Sequence, residues 1–282
     1  CYMNLMALED LPDFSRGPRS PDLPERLPAI REAHYEGVQF IEPLKPGEAE
    51  LCERLGLGRC SLGRVNTPRE AGELARRFAG EEQECATLHV GWGIEDDAEA
   101  HALIEAVLEA SERHHVPLFV ETHRATIFQD PWRTVQFVRR YPDLRFNGDF
   151  SHWYTGLEMV YGGFERKLEF IAPVLERVRF LHGRIGNPGS IQVDIGDGDA
   201  SGRPYVDHFR RLWTASFAGF LGSARPGDYV LFVPELLAPR IYYGRVFPDA
   251  TGAPREESDR WQQSLVLRRI ARECFEAARQ AG

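Results

Sequence analysis

Eight times along the chain, a short apolar run is followed by a longer stretch of helical character. The runs are 2–7, 37–43, 58–66, 85–93, "VPLFVETH" at 116–123, "LRFNGDFSHW" at 144–153, 178–186 and 228–237. This alternation constrains the fold more than any single motif. Continuous apolar strands separated by helices require a parallel sheet covered on both faces. Eight such units in 282 residues predict one α/β domain over 1–282, a (β/α)8 TIM barrel. The intervening segments carry ordinary helix punctuation. Thr67 precedes Pro68 as an N-cap before an N1 proline, and Asp130 precedes Pro131 in the same way. An open doubly wound sheet is the competing architecture. It calls for a glycine-rich turn after the first strand, and "MALEDLPDF" is not one.

Composition narrows the classes of function. The formal net charge is −9, which disfavours a phosphate backbone as the main partner, so no nucleic acid is expected. There is no run of about 18 apolar residues, so no membrane span is expected. The first residues lack the basic start and apolar centre of a secretory signal. Five scattered cysteines with no CxxC pair predict reduced thiols and a cytoplasmic location.

In a barrel of this kind the reactive groups sit at the C-terminal ends of the strands. Strand five ends in Glu121 and His123, strand six in Asp149 followed by His152, strand seven in His182 and Arg184, and strand eight in Glu235. Strand four carries His89 and ends near Trp92. The two-residue period of a strand places Glu121 with His123 on one face, and His182 with Arg184. Four successive strands thus offer Glu121, Asp149, His182 and Glu235 to one mouth. Three carboxylates crowded together repel unless some protonate or a cation joins them. A single divalent ion, Mn²⁺, Mg²⁺, Co²⁺ or Zn²⁺, suits that mixed oxygen and nitrogen set. Each of these residues taken alone has a plainer role as a cap, an ion-pair partner or a hydrogen-bonded core histidine.

The pieces "VETH", "GDFSHW", "FLHGRIG" and "VPEL", in this order and each at its strand, resemble the xylose-isomerase-like barrels, as does "HVGWG" at strand four. That group includes sugar-phosphate isomerases, ketose 3-epimerases and hydroxypyruvate isomerases, and the resemblance covers most of the chain. It implies that Glu121, Asp149, His182 and Glu235 bind one divalent metal, and that Glu121 and Glu235 shuttle a proton between adjacent substrate carbons. It also implies substrate contact by His152 and Arg184, on a small sugar or other hydroxy-carbonyl compound. Homo-oligomers, dimers or tetramers, are a further expectation from the resemblance. Return of the proton to the neighbouring carbon makes an isomerase, and return to the same carbon from the other face an epimerase. Both stay open.

Several residues carry two readings each. His123 either supports the metal ligands or touches a substrate hydroxyl, and His89 reaches the mouth or is a satisfied core histidine. Trp92 and Trp153 form a wall against a sugar face, or simply pack. Arg184 clamps a carboxylate or phosphate, or pairs with a rim acid. The loop "GNPGSIQVDIGDG", with Gln192 and Asp194, is long enough for a lid, and Glu42 is a rim carboxylate. The long aromatic segment "APRIYYGRVFPDATG" either closes the pocket or forms a subunit contact. Three rival functions remain: a dehydratase on a polyol or keto acid using the same metal and base, a three-zinc DNA-repair endonuclease of the AP type, and a sugar-binding barrel without catalysis. The few histidines at strands two and three, together with the negative charge, weigh against the endonuclease.

Overall fold

The computed structural model describes residues 1–281. Eight strands run parallel in sequence order: β1 (Tyr2–Asn4), β2 (Gly37–Phe40), β3 (Gly58–Val65), β4 (Cys85–Val90), β5 (Leu118–Glu121), β6 (Phe146–Asn147), β7 (Val178–Gly183) and β8 (Leu231–Pro234). β1 packs beside β8, so the sheet curls into a nearly closed barrel. The outer ring is α1 (Leu23–Glu32), α2 (Glu48–Leu55), α3 (Pro68–Gly80), α4 (Asp97–His114), α5 (Pro131–Arg140), α6 (Phe150–Gly156), α7 (Phe164–Leu175), α8 (Pro204–Leu221) and α9 (Arg260–Ala281). A short antiparallel hairpin, β9 (Val246–Pro248) with β10 (Pro254–Glu256), decorates the connection from β8 to α9.

Local chemistry sets these boundaries. The Glu70 carboxylate accepts from Thr67 N at 3.0 Å at the start of α3, and Asp96 and Glu99 form a reciprocal capping box on α4. All eight strands are shorter than their apolar runs, and in two of them a capping side chain ends the strand early. After Asn4 the chain turns into a 3-10 segment, Leu5–Leu8, because the Asn4 side chain accepts from Met6 N at 2.9 Å and Ala7 N at 3.3 Å. The run 144–153 yields only the two-residue β6. Asp149 caps α6, accepting from Ser151 N at 3.1 Å, so Phe150 to Trp153 are helical and His152 projects from a helix, not a strand.

The barrel interior is layered. Tyr2, Cys60, Cys85, Phe180, Leu231 and Val233 form an apolar plug at its N-terminal end, with Phe119 against it. Two residues further along the same strands, Asn4, Thr87, Glu121 and His182 make a buried polar layer, with Gln39 of β2 and Asn147 of β6 completing it. One step beyond lie His89, His123, Arg184 and Glu235. The period of two therefore converts a greasy floor into a polar cage and then a mouth. The larger apolar core lies between the barrel and its helices, and includes Phe128, Phe146, Trp153 and Trp213.

Candidate metal centre

Glu121, Asp149 and His182 are fully buried and Glu235 nearly so. Each offers a ligand atom within 4.8 Å of the others. The four residues singled out at the ends of strands five to eight thus converge on one point.

The polar layer beneath them fixes their orientation. The Asn147 amide nitrogen lies 2.8 Å from Thr87 Oγ1, 3.1 Å from Glu121 Oε2 and 3.0 Å from His182 Nδ1, three neighbours for two hydrogens, and its Oδ1 accepts from His182 N at 2.9 Å. Thr87 Oγ1 in turn donates to Glu121 Oε2 at 3.3 Å. His182 Nε2 faces Gln39 Oε1 at 3.1 Å, and that same oxygen accepts from Asn4 Nδ2 at 2.8 Å. A carbonyl oxygen only accepts, so the Nε2 hydrogen belongs to this bond. His182 Nδ1 is then directed at Glu121 Oε2, 3.3 Å away, and Glu235 Oε1, 3.6 Å away. The Asn147 amide nitrogen lies 3.0 Å from Nδ1 but has two hydrogens for three neighbours, so a lone pair there would face two carboxylates with at most a shared donor. The position calls for a positive charge, either a proton on Nδ1 or a metal ion. Glu121 makes the same point. Its Oε2 is crowded with donors, while its buried Oε1 has no hydrogen-bond partner among the described residues. Both observations fit a divalent ion held by Glu121, Asp149, His182 and Glu235, with Gln39 and Asn147 orienting the ligands from behind.

The charges respond accordingly. Burial by itself would push the His182 imidazole down, but the Glu235 and Glu121 carboxylates outweigh it and hold it at about 9. Burial opposes ionisation of Glu121 too, yet His182 and His89 keep its carboxyl well below the usual range. Asp149 is held low, against its burial, by Arg184 and His152. For Glu235 burial prevails over His182 and Arg184, and its carboxyl is raised. The two glutamates of one cage are thereby pushed in opposite directions.

Around this centre the other predicted residues take distinct places. His89 brings Nε2 to 3.2 Å from Glu121 Oε2, while its Nδ1 lies 3.3 Å from Arg64 Nη2. It therefore reaches the mouth and is no core histidine. The rings of His89, His123 and His152 lie in series, with centroids 4.1 and 3.8 Å apart and planes tilted by 35° and 48°. His123 Nε2 lies 3.3 Å from the Tyr243 hydroxyl, and burial together with the neighbouring His152 pushes its imidazole down to about 2, so it is neutral. His152 Nε2 sits 3.3 Å from Asp149 Oδ2. Arg184 does not extend into the mouth: it pairs with Asp149 and Glu235. Trp92 stays on the rim, 53% exposed beneath the Arg64 guanidinium. Trp153 is a packing residue, buried, with Nε1 donating to Phe128 O at 3.0 Å. Glu42 remains exposed on the rim.

The loop after β7 is pinned rather than free. Ile185, Ile191, Val193 and Ile195 are buried, and Gln192 exchanges hydrogen bonds with Leu237 N and O at 2.8 and 3.0 Å. Asp194 accepts from Gly196 N within its own turn. The segment after β8 covers the cage instead. Tyr243 lies across it, 4.6 Å from the Arg184 guanidinium and 4.9 Å from that of Arg124. Tyr243, Ser151 and the layer residues Asn4, Gln39, Thr87 and Asn147 were not singled out from the sequence. The signal for that layer was present as polar residues inside apolar strands, "YMN", "GVQF", "CATL" and "RFN", in phase with the ligands.

No family model matches this sequence, and no curated protein matches it. Solved structures do. A sugar phosphate isomerase/epimerase from Parabacteroides distasonis superposes with a TM-score of 0.53 at 13% identity, over 97% of this chain and 95% of that one. A xylose isomerase domain protein from Planctomyces limnophilus gives 0.51 at 14%, over 89% and 91%. The chain shares the (β/α)8 barrel fold of these proteins. The probable 3-DHS dehydratase AsbF from Bacillus anthracis shares that fold too, with a TM-score of 0.52 at 12% identity, over 83% of this chain and 92% of that one. Among the described residues, no helix of this barrel is long and apolar enough to cross a membrane.

Proposed function

We propose that this chain is a divalent-metal-dependent enzyme acting on a small hydroxy-carbonyl compound, a sugar or sugar acid, and that it relocates a proton as an isomerase or epimerase. The observation that carries this reading is the buried cage of Glu121, Asp149, His182 and Glu235, with an unpartnered Glu121 Oε1 and a His182 Nδ1 directed at carboxylates. A bound divalent ion supplies Lewis-acid stabilisation of the negative charge that develops on the substrate oxygens.

The chain's own groups do the rest. Glu121 is held ionised and accepts the proton alpha to the carbonyl. Glu235 has a raised carboxyl and is the better donor for its return. Environments that push two carboxyls apart in this way assign them to base and acid. Thr87, Asn147 and Gln39 orient Glu121 and His182, and the burial of the cage excludes the water that would quench an enediolate. His152 and His123 present imidazoles at the mouth, where substrate hydroxyls would lie.

A dehydratase is the second reading. It is favoured by the line of three imidazoles, His89, His123 and His152, beside the two glutamates, which offers further polar groups to receive a leaving hydroxyl in an elimination of water. One experiment separates the two. Ketoses, sugar acids and cyclic keto acids are incubated with Mn²⁺-loaded protein in D₂O and followed by NMR. Deuterium entering at carbon without loss of the hydroxyl supports isomerase or epimerase chemistry. Loss of water with a new conjugated double bond supports the lyase. No turnover across these classes, with metal bound, contradicts both.

A further inference from the structure

The barrel places a cation of its own within the carboxylate cage. Arg184 is fully buried, with Nη2 paired to Asp149 Oδ2 and 3.0 Å from Glu235 Oε2. Its other nitrogens are engaged nearby. Nε donates to Ser151 Oγ at 3.0 Å and Nη1 to the Glu235 carbonyl at 3.4 Å. Ser151 Oγ donates to Asp149 Oδ1 at 2.5 Å, so both oxygens of Asp149 are satisfied within the chain. Glu121 stands in contrast, with one oxygen unpartnered. Two of the four candidate ligands therefore already have a counter-ion, and a guanidinium and a divalent ion draw on the same lone pairs.

We infer that Arg184 is a resident competitor for the divalent ion: it holds Asp149 and Glu235 when the metal is away and yields part of that hold when the metal binds. The inference rests on the metal reading of the cage and concerns what sets its affinity. Three buried acids without a counter-ion would destabilise the metal-free barrel. Arg184 removes that difficulty, so the ion is exchangeable and binds more weakly than four unencumbered ligands would hold it. The ring of Tyr243, 4.6 Å from the guanidinium on the mouth side, gives the displaced cation a surface to settle against.

The test is a calorimetric titration of the EDTA-stripped full chain with MnCl₂, checked by the electron paramagnetic resonance signal of free Mn²⁺. Wild type is compared with Arg184→Met, and the expected result is binding at least about tenfold tighter in the variant. Equal or weaker binding by Arg184→Met overturns the inference. Loss of a buried counter-ion threatens folding, so Arg184→Lys is titrated as well. It keeps the charge but loses the fork that reaches both acids. If Arg184→Met does not fold, Arg184→Lys binding no tighter than wild type overturns the inference instead. Absence of Mn²⁺ binding in wild type and all variants removes the metal reading itself. Binding in wild type that the variants leave unchanged or weaken removes only the competition. Binding that appears only in the variants supports it.

Discussion

Stripped of metal, the protein should lose stability as pH rises from neutrality, and His182 sets the size of the loss. The imidazole is fully buried and is held at about 9, against an ordinary value of 6.5. A group whose folded-state pKa is raised stabilises fully below its unfolded value and loses that contribution as pH climbs through the folded one. Between pH 6.5 and about 9 the folded state binds a proton that the unfolded state does not. Stability then falls by roughly 1.4 kcal/mol per pH unit, or ~3 kcal/mol across the window. With a urea dependence of ~3 kcal/mol per molar, the unfolding midpoint drops by about 1 M. The assay is urea unfolding in EDTA, monitored by tryptophan fluorescence at several pH values from 6 to 9.5, for wild type and His182→Gln. The variant should flatten the profile. With saturating Mn²⁺ the dependence should vanish between pH 6.5 and about 9, because the ion takes the place of the proton on Nδ1 and neither the folded nor the unfolded state then binds it. A wild-type midpoint that stays level from pH 6.5 to 9 in EDTA, or an equal fall in His182→Gln, would refute the argument that Nδ1 requires a cation.

Other substitutions probe the remaining parts of the site. Gln39→Leu removes the acceptor that fixes the His182 tautomer and should weaken Mn²⁺ binding by about 10–100-fold, read by calorimetry. Asn147→Ala leaves several buried partners unsatisfied and should cost about 1–3 kcal/mol in urea unfolding, at every pH where Glu121 is ionised. Glu121→Gln and Glu235→Gln should each abolish exchange of a substrate C–H with solvent while circular dichroism stays native, and exchange retained in both would exclude their acid–base roles.

Much of this architecture is legible in the sequence because it rests on two periodicities. The eight apolar runs announce the barrel, and the acids at the ends of strands five and eight stand out because a carboxylate directly after "LFV" or "FVP" needs a partner. The errors have local causes. "LRFNGDFSHW" looks continuous because its aromatic residues suit a strand, but Asp149 two residues before Ser151 is an N-cap, and capping ends β6 early. The layer of Asn4, Gln39, Thr87 and Asn147 escapes a reading that inspects only strand ends, although each is a polar residue inside an apolar run. The course of a long side chain is not written in its spacing. Arg184 shares a strand face with His182, as the period requires, yet whether its guanidinium reaches outward or folds onto Asp149 is decided in three dimensions. Tyr243 lies in a connection whose path over the mouth no periodicity encodes. The length of the loop after β7 does not show, for a related reason, that four of its aliphatic residues are buried.

The most direct test of the central claim is metal content per chain, by elemental analysis of protein purified and then reconstituted with Mn²⁺, using an Asp149→Ala/His182→Ala double variant as the blank. The cage geometry predicts about one ion per wild-type chain and none in the blank. No ion in the wild type after reconstitution, or the same content in both proteins, would contradict it.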